Sequence, residues 1–276
     1  MVVNDPGVAL DGSGFSQAPA DQVVWEIKRM GGGAAANYDD VSQMATGERL
    51  VKQALETFGR LDCVVTCAGI LRDRMVFNMT EEEWDSILRV HLKGTFAVVK
   101  YACILFRQQR SGRIITISSE SGLVGNSGQA NYAAAKSGIA GFTKVVARDM
   151  GRYGVTANCI APRAWTRMTQ GVPEAAQQIR AQRGVQAIEG LEEMRQWAPE
   201  DVAPFAAFLA SDAAAHINGQ VFLVYGNTIA LLSQPRLLKT LFKPEGFFSV
   251  EELRELLPKT LCADLVNPAP PQPARV

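Results

Sequence analysis

Short apolar runs rich in β-branched residues alternate along this chain with longer segments in which apolar residues recur at helical spacing. The alternation constrains the fold most, because strands that return through helices to parallel neighbours build a sheet with helices on both faces. The first predicted strand ends near residue 3, and the others cover 34–38, 61–66, 113–118, 155–160 and 220–224. The predicted helices cover 21–30, 46–58, about 91–109, 131–150 and 199–210. We therefore predict an α/β fold with a doubly wound parallel sheet and a functional site at the carboxyl ends of its strands.

Charge and composition exclude several classes of protein. The chain has 276 residues, with 28 Lys and Arg against 28 Asp and Glu, and it has no block of five like charges. Such a chain has little attraction for a polyanion, so we expect no nucleic-acid partner. With only two histidines, we expect no metal site. No apolar stretch approaches the ~18 residues of a membrane span and no signal peptide is visible, so we expect no membrane contact.

The cysteines indicate a reducing compartment. The chain has five, at Cys63, Cys67, Cys103, Cys159 and Cys262, with no C-x-x-C pair, and most of them lie in apolar runs. An odd number without metal-ligand spacing is typical of free thiols. We predict that they are reduced core residues of a cytoplasmic protein.

Three residues carry recognisable chemistry: Ser119, Tyr132 and Lys136. Tyr132 and Lys136 are four residues apart on a predicted helix, so their side chains share one face. An ammonium near a phenol lowers the pKa of the phenol, which makes tyrosine a usable proton donor and acceptor. Ser119 follows a predicted strand and can orient the same substrate oxygen. The trio suits proton transfer at a carbinol carbon, whereas the Tyr–Lys pair alone also fits an ordinary solvated helix face.

The surrounding sequence resembles a known family. The run GRIITISSESGLVGNSGQANYAAAKSGIAGFTK at 112–144 is similar to the catalytic core of the short-chain dehydrogenase/reductases, with serine, tyrosine and lysine at the family's spacing. Further similar motifs lie in order along the chain: Asp40-Val41, Cys67-Ala68-Gly69, VHLKGTF from residue 90 and NCIAPRAWTRMT from residue 158. The resemblance extends from residue 2 to about residue 226 and implies a Rossmann-like fold.

The resemblance implies catalytic roles. Tyr132 would be the general acid and base, Lys136 would lower its pKa and bind the nicotinamide ribose, and Ser119 would hold the substrate oxygen. His91 stands where the family usually has an asparagine that supports a proton-relay water. Imidazole can also donate and accept protons, so His91 is a relay candidate; the alternative is a buried histidine satisfied by its neighbours.

The resemblance also implies an NAD(P) site. Asp5 follows the strand whose acidic residue accepts hydrogen bonds from the adenosine ribose, which favours NAD over NADP; the alternative is a turn aspartate before Pro6. The remaining cofactor-binding candidates are Asp40 and Val41 beside the adenine, Cys67, Ala68 and Gly69 along the cofactor, Tyr132, Lys136, and Thr166 at the carboxamide. Two positions depart from the family: Arg163 replaces a glycine and Cys67 replaces an asparagine.

The family's phosphate-binding loop, T-G-x-x-x-G-x-G, has no counterpart here, because the only Thr-Gly pair, Thr46-Gly47, continues differently. The resemblance thus implies an N-terminally truncated fold that lacks about one βα unit and leaves strand edges unpaired. Three accounts stay open: an internal methionine taken as the start or a gene fragment, a degenerate protein, or an assembly completed by a partner chain.

A branch of the family narrows the expected substrate. The motifs VVND, VHLKGTF, APRAWTRMT and FFSVEELRELL resemble (3R)-hydroxyacyl-CoA and steroid dehydrogenases. We predict a domain at 1–228, with substrate specificity in the polar segment 163–197, and an extension at 229–276 with a Ser249-capped helix and a proline-rich tail. The expected activity interconverts a small-molecule secondary alcohol and ketone, in a homodimer or homotetramer formed through the long helices. The alternative is an impaired subunit that acts only by pairing with an intact homologue.

Overall fold

The structure, a computed structural model, describes residues 1–170 and 196–268. Its strands are β1 (Val2–Asn4), β2 (Ala35–Asn37), β3 (Cys63–Thr66), β4 (Gly112–Ile117), β5 (Val155–Pro162), β6 (Val221–Tyr225) and β7 (Thr228–Leu231). Its α-helices are α1 (Ala18–Arg29), α2 (Met44–Phe58), α3 (Glu81–Ile87), α4 (Gly94–Gln109), α5 (Glu120–Leu123), α6 (Ala130–Met150), α7 (Arg167–Gln170), α8 (Ala203–Ala210) and α9 (Val250–Leu256). The α/β class is confirmed.

The described strands form two sheets. β1 and β2 pair in parallel, and β3, β4, β5, β6 and β7 form a second sheet in that order. All pairings of the second sheet are parallel except that of β7 with β6. Within the described residues, β1 pairs only with β2 and β3 pairs only with β4.

Both faces of the larger sheet are covered because neighbouring side chains of β4 point to opposite sides. Ile114 belongs to an apolar cluster with residues of α4 and α6, including Phe106 and Met150. Ile115 belongs to a second cluster, with Phe205 and Leu209 of α8. The predicted arrangement of helices on both faces is therefore confirmed.

Helices α2 and α4 connect the two sheets. They pack against each other, while α2 contacts β1 and α4 contacts β3. The helices lie close together at Gly47, where an added Cβ would lie 2.2 Å from the carbonyl oxygen of Ala97. The only Thr-Gly pair of the sequence thus has a packing role in a helix. A loop contact strengthens the connection, since the Leu71 amide donates to the Leu10 carbonyl at 2.8 Å.

Local sequence signals explain several helix ends. Thr80 and Ser249 each form a capping box with the glutamate three residues later, which begins α3 and α9 as predicted. The predicted helix at about 91–109 differs, because a π-helical turn at Leu88–Lys93 joins α3 to α4 and carries buried His91. An extra residue in one turn leaves no periodic signal in a sequence.

The region after residue 225 contains a strand that the sequence pattern did not predict. β7 pairs with β6 through the turn at Gly226-Asn227. Among described residues, one compact unit ends at Leu232 and a second begins at Ser233. The division of the chain at residue 228 into domain and extension stays a prediction. Most of the predicted specificity segment, at 171–195, and residues 269–276 of the tail lie outside the described residues.

The cysteines are all free. Cys159 is buried and Cys63 and Cys103 are half-buried, but Cys67 and Cys262 are exposed. The prediction of core positions is wrong for these two: Cys67 follows the end of β3, and Cys262 lies after the last described helix.

Candidate active site

The carboxyl end of β4 carries two serines with different tasks. Ser118 is buried, and its hydroxyl donates to the carbonyl oxygen of Lys136 at 2.7 Å. Ser119 is the N-cap of α5, where its Oγ accepts a hydrogen bond from the Ser121 amide at 3.2 Å. The first serine fixes β4 to α6, and the second stands at the sheet edge where a substrate oxygen can approach.

Asn131 anchors the start of α6, a role that the sequence analysis did not predict. The side chain is fully buried, and its Nδ2 donates to the carbonyl oxygens of Arg72 at 2.9 Å and Glu83 at 2.8 Å. Its Oδ1 accepts from the Tyr132 amide at 2.7 Å. An asparagine in the first turn of a helix is the available signal, since its side chain competes for backbone groups. These bonds fix the backbone that carries Tyr132.

Tyr132 lies among the other predicted catalytic residues. Its ring meets His91 edge-on, with 5.1 Å between centroids, and Lys136 Nζ lies 5.6 Å from its ring centroid. Burial raises the pKa of the Tyr132 phenol, a hydrogen bond with Ser119 lowers it, and the charge of Asp73 raises it. The net shift is upward, opposite to the predicted lowering by Lys136. Burial is the largest contribution to this shift. The Lys136 ammonium donates to the backbone carbonyl of Ile117.

Lys136 is a buried cation. Its Nζ donates to the Ile117 carbonyl at 2.8 Å, and only 4% of the residue is exposed. Burial lowers the pKa of Lys136 to about 8, against smaller opposing contributions from the Cys159 and Cys67 thiols. The ammonium therefore lies beside the end of β3 as well as that of β4.

His91 lies in the π-helical turn with its ring against Gly69, where an added Cβ would lie 2.4 Å from Cε1. Its Nε2 is 2.8 Å from the carbonyl oxygen and 3.1 Å from the amide nitrogen of Ile70; a neutral ring makes one of these bonds, according to its tautomer. Its buried Nδ1 has no hydrogen-bond partner among the described residues. Burial, helped by the charge of Lys136, lowers the pKa of His91 to about 3, so the ring is neutral.

The predicted adenine-end residues lie at the ends of β1 and β2. Asp5 Oδ1 accepts from the Gly7 amide at 2.7 Å, the geometry of an aspartate turn, which leaves Oδ2 for another donor. The Asp40 carboxylate accepts hydrogen bonds from the Ser42 amide at 2.9 Å and from the Ser42 hydroxyl at 2.6 Å. Val41 is buried against Gly94 at the start of α4. The contacts of Asp5 and Asp40 are local, whereas that of Val41 joins it to α4. None of them involves Ser119, Tyr132 or Lys136.

The other predicted cofactor residues follow β3 and β5. Cys67 and Ala68 are exposed at the end of β3, and Gly69 is half-buried against His91. Thr166 caps α7 locally: its amide donates to Thr169 Oγ1 at 2.7 Å, and its Oγ1 accepts from the Met168 amide at 3.2 Å. Thus the structure brings together Ser119, Tyr132, Lys136, His91 and Cys67, while Asp5, Asp40, Val41 and Thr166 lie at other strand ends.

The fold and the site agree with the comparison to known proteins. Residues 7–226 match the family model described as enoyl-(acyl carrier protein) reductase. The chain belongs to the short-chain dehydrogenase/reductase family, and it is an oxidoreductase.

Relatives show how far the similarity extends. Hydroxyacyl-CoA dehydrogenase ChsB1 of Mycobacterium tuberculosis is 44% identical over 245 residues, which are 86% of this chain and 73% of that protein. Peroxisomal multifunctional enzyme type 2 of Mus musculus is 43% identical over 239 residues, 86% of this chain and 30% of that longer enzyme. A short-chain dehydrogenase from Mycobacterium avium has a TM-score of 0.77 at 40% identity, covering 95% of this chain and 85% of the other. The Rossmann-like fold is confirmed.

Enzymes of this family use NAD or NADP. The hydrogen-bonding needs of the buried Lys136 ammonium show whether such a cofactor fits. An ammonium carries three N–H donors, and burying donors without acceptors is costly. Its described side-chain hydrogen bond, to Ile117, uses one of them. The two hydroxyls of a nicotinamide ribose are acceptors of suitable chemistry, so the residues present fit this end of the cofactor.

No helix within 1–170 or 196–268 combines the length and apolarity of a bilayer crossing. In the same ranges, no group of three or more His, Cys, Asp or Glu side chains is arranged to hold a metal ion.

Proposed function

We propose that this chain interconverts a secondary alcohol and a ketone with NAD as the hydride carrier. The observation that carries the proposal is the meeting of Ser119, Tyr132 and Lys136 at the carboxyl edge of the larger sheet. The bound nicotinamide would exchange the hydride with the substrate. The chain's own residues would hold the substrate oxygen and move the proton.

In this proposal, Tyr132 gives its phenolic proton to a ketone oxygen or takes the proton of an alcohol, while Ser119 hydrogen-bonds the same oxygen. A pKa raised by burial keeps the phenol protonated, which suits proton donation. Lys136 holds the ribose hydroxyls and supplies positive charge beside the phenol. The positive charge would support a phenolate formed when the alcohol is oxidised.

The substrate proposed is a 3-hydroxyacyl-CoA. The support is the similarity to relatives named as hydroxyacyl-CoA dehydrogenases and peroxisomal multifunctional enzymes, together with the branch-specific motifs of the sequence. A hydroxysteroid is the second substrate to test, because the same motifs occur in that branch.

NAD is proposed over NADP because of Asp5. Its free Oδ2 can accept from a ribose hydroxyl, whereas a 2′-phosphate would meet a carboxylate of like charge. Asp40, Val41, Cys67, Ala68, Gly69 and Thr166 are proposed to line the rest of the cofactor.

The test measures NADH formation from 3-hydroxyacyl-CoA and hydroxysteroid substrates, with NADP in parallel assays. Tyr132→Phe removes the group that takes the alcohol proton in this direction and is expected to reduce kcat by at least about 100-fold. Tyr153→Phe, which removes a phenol after the end of α6, is the matched control and is expected to retain activity. Absence of turnover with every substrate, together with no NAD-dependent rise in melting temperature, would refute the proposal. It would favour the alternative of a non-catalytic subunit.

A further inference from the structure

Arg163 and Glu120 form a two-pronged ion pair beside the proposed catalytic site. Arg163 Nε donates to Glu120 Oε2 at 2.6 Å, and a terminal guanidinium nitrogen donates to Oε1. The side chains are 20% and 33% exposed. Parallel hydrogen bonds of this kind fix the relative orientation of both partners. The pair therefore restrains two backbone segments that are 43 residues apart in sequence.

The restraint extends across three strand ends. Arg163 follows β5, and its amide donates to the Val224 carbonyl of β6 at 2.9 Å. Its guanidinium lies 5.1 Å from the ring centroid of Tyr225, whose other neighbour is Trp197 at 4.6 Å between centroids. Glu120 belongs to α5, directly after Ser119 at the end of β4. Arg163 thus fixes the segment that carries Ser119 to the ends of β5 and β6.

Helix α5 depends on such external contacts because its four residues are too few for a stable helix. Its opposite side is held by Gly122, where an added Cβ would lie 2.6 Å from the Ser137 amide nitrogen and 2.8 Å from Lys136 Cβ. The contact at Gly122 positions α5 against α6, the helix that carries Tyr132 and Lys136. The ion pair of Glu120 with Arg163 fixes the first turn of α5.

We propose that Arg163 is a positioning residue that acts through Glu120 to fix the Ser119 hydroxyl opposite Tyr132. The proposal rests on the proposed dehydrogenase function. The side chain of Arg163 contacts Glu120 and Tyr225, and the proposal requires no contact of Arg163 with the substrate oxygen. Its effect on the reaction passes through Ser119, so it disappears when the Ser119 hydroxyl is removed.

The experiment is a double-mutant cycle on the full chain with the substrate that gives turnover. Arg163→Met is expected to lower kcat about 10- to 100-fold while KM stays within about twofold, because a displaced Ser119 weakens the reacting geometry. Ser119→Ala is expected to lower kcat at least as much. In the Ser119→Ala background, Arg163→Met is expected to cost less than about twofold more. Multiplicative losses in the double variant would overturn the proposal.

Amide hydrogen exchange provides a second readout that needs no activity. Arg163→Met and Glu120→Gln are each expected to speed exchange in α5 and to leave β4 unchanged. Arg113→Met is the control, because it removes another partly buried ion pair, with Asp212, at the amino end of β4. This variant is expected to lose stability. Its kcat and its rate of amide exchange in α5 are expected to match those of the wild type. If loss of Arg163 leaves exchange in α5 unchanged, the positioning proposal is contradicted, whether or not the wild type shows turnover. Absence of turnover in the wild type counts separately, against the dehydrogenase function.

Discussion

Lys136, the proposed ribose-binding residue, occupies an unfavourable position for a charged group. Its pKa falls from 10.5 to about 8 on folding, with burial as the main cause. The unfolded chain therefore binds more protons than the folded chain between these two values, and stability rises with pH through that window. At pH 7 the shift corresponds to a cost of about 3 kcal/mol. We infer that this position is maintained for function at the expense of stability.

Lys136→Met is expected to increase the free energy of unfolding at pH 7 by about 1–3 kcal/mol, since it removes the buried charge but also the bond to Ile117. The gain is expected to fall by about 2 kcal/mol at pH 9.5, where most of the ammonium of the folded chain is already neutral. Urea unfolding of both proteins at the two pH values measures this difference. A gain independent of pH contradicts the assignment.

His91 affects how the free energy of unfolding depends on pH in the acidic range. Its pKa falls from 6.5 to about 3 on folding, so the unfolded chain binds more protons below pH 6.5 and stability falls as the pH falls. His91→Asn provides an amide donor and an amide acceptor for the two backbone groups of Ile70 and carries no titrating ring. We expect this variant to lose about 2 kcal/mol less stability than the wild type between pH 7 and pH 4.5.

The measurement for His91 is again urea unfolding, at both pH values. The control substitutes the chain's second histidine, exposed His216, with asparagine. That variant is expected to follow the wild-type profile. Equal acid sensitivity of His91→Asn and the wild type would show that the buried ring does not cause the loss.

At the scale of elements, the sequence predicted structure best where the signal is local. Both capping boxes and the long helices α2 and α6 were predicted close to their observed bounds, because caps and periodic apolar faces lie within a few residues of one another. β7 was missed, since its four residues give too short an alternation to recognise. The proximity of Ser119, Tyr132 and Lys136 could be predicted from motif spacing. The Arg163–Glu120 pair could not be predicted, because the two residues are far apart in the sequence and no periodic pattern relates them.

The contact of α2 with α4 predicts a steric effect at Gly47. Gly47→Ala would place its Cβ 2.2 Å from the Ala97 carbonyl, so the two helices must separate. We expect a loss of about 1–3 kcal/mol in the free energy of unfolding, despite the better helix propensity of alanine. Glu48→Ala, at the next and exposed position, is expected to change it by less than about 0.5 kcal/mol. Denaturant melts of the two variants decide the point, and equal stabilities would mean that the helices adjust freely.

At the scale of the molecule, α4 and α6 present apolar side chains to solvent. Phe96, Ile104 and Val145 are 42%, 45% and 56% exposed, and the Phe96 ring meets that of Phe142 at 6.2 Å. Apolar surface shared by two adjacent long helices is typical of a contact between subunits. These observations support the predicted homodimer or homotetramer.

Phe96→Asp is expected to shift the mass in sedimentation equilibrium from an oligomer toward the monomer, because a carboxylate would be buried in the contact. Val23→Asp, on α1 and equally exposed at 42%, is the control and is expected to leave the mass unchanged. An oligomer unaffected by Phe96→Asp would assign the contact to another surface.

The antiparallel pairing of β7 bears on the order in which the molecule acquires its structure. Val2 pairs with Ala35, Cys63 with Arg113 and Cys159 with Val221, so each parallel pairing must first close a long loop. Tyr225 and Thr228, by contrast, pair across a two-residue turn. Hairpins close in microseconds, far faster than distant parallel strands find each other. The strand that the sequence did not reveal is therefore positioned to be among the earliest parts of the sheet to assemble. It would do so as a hairpin with β6, on whose other edge β5 can dock.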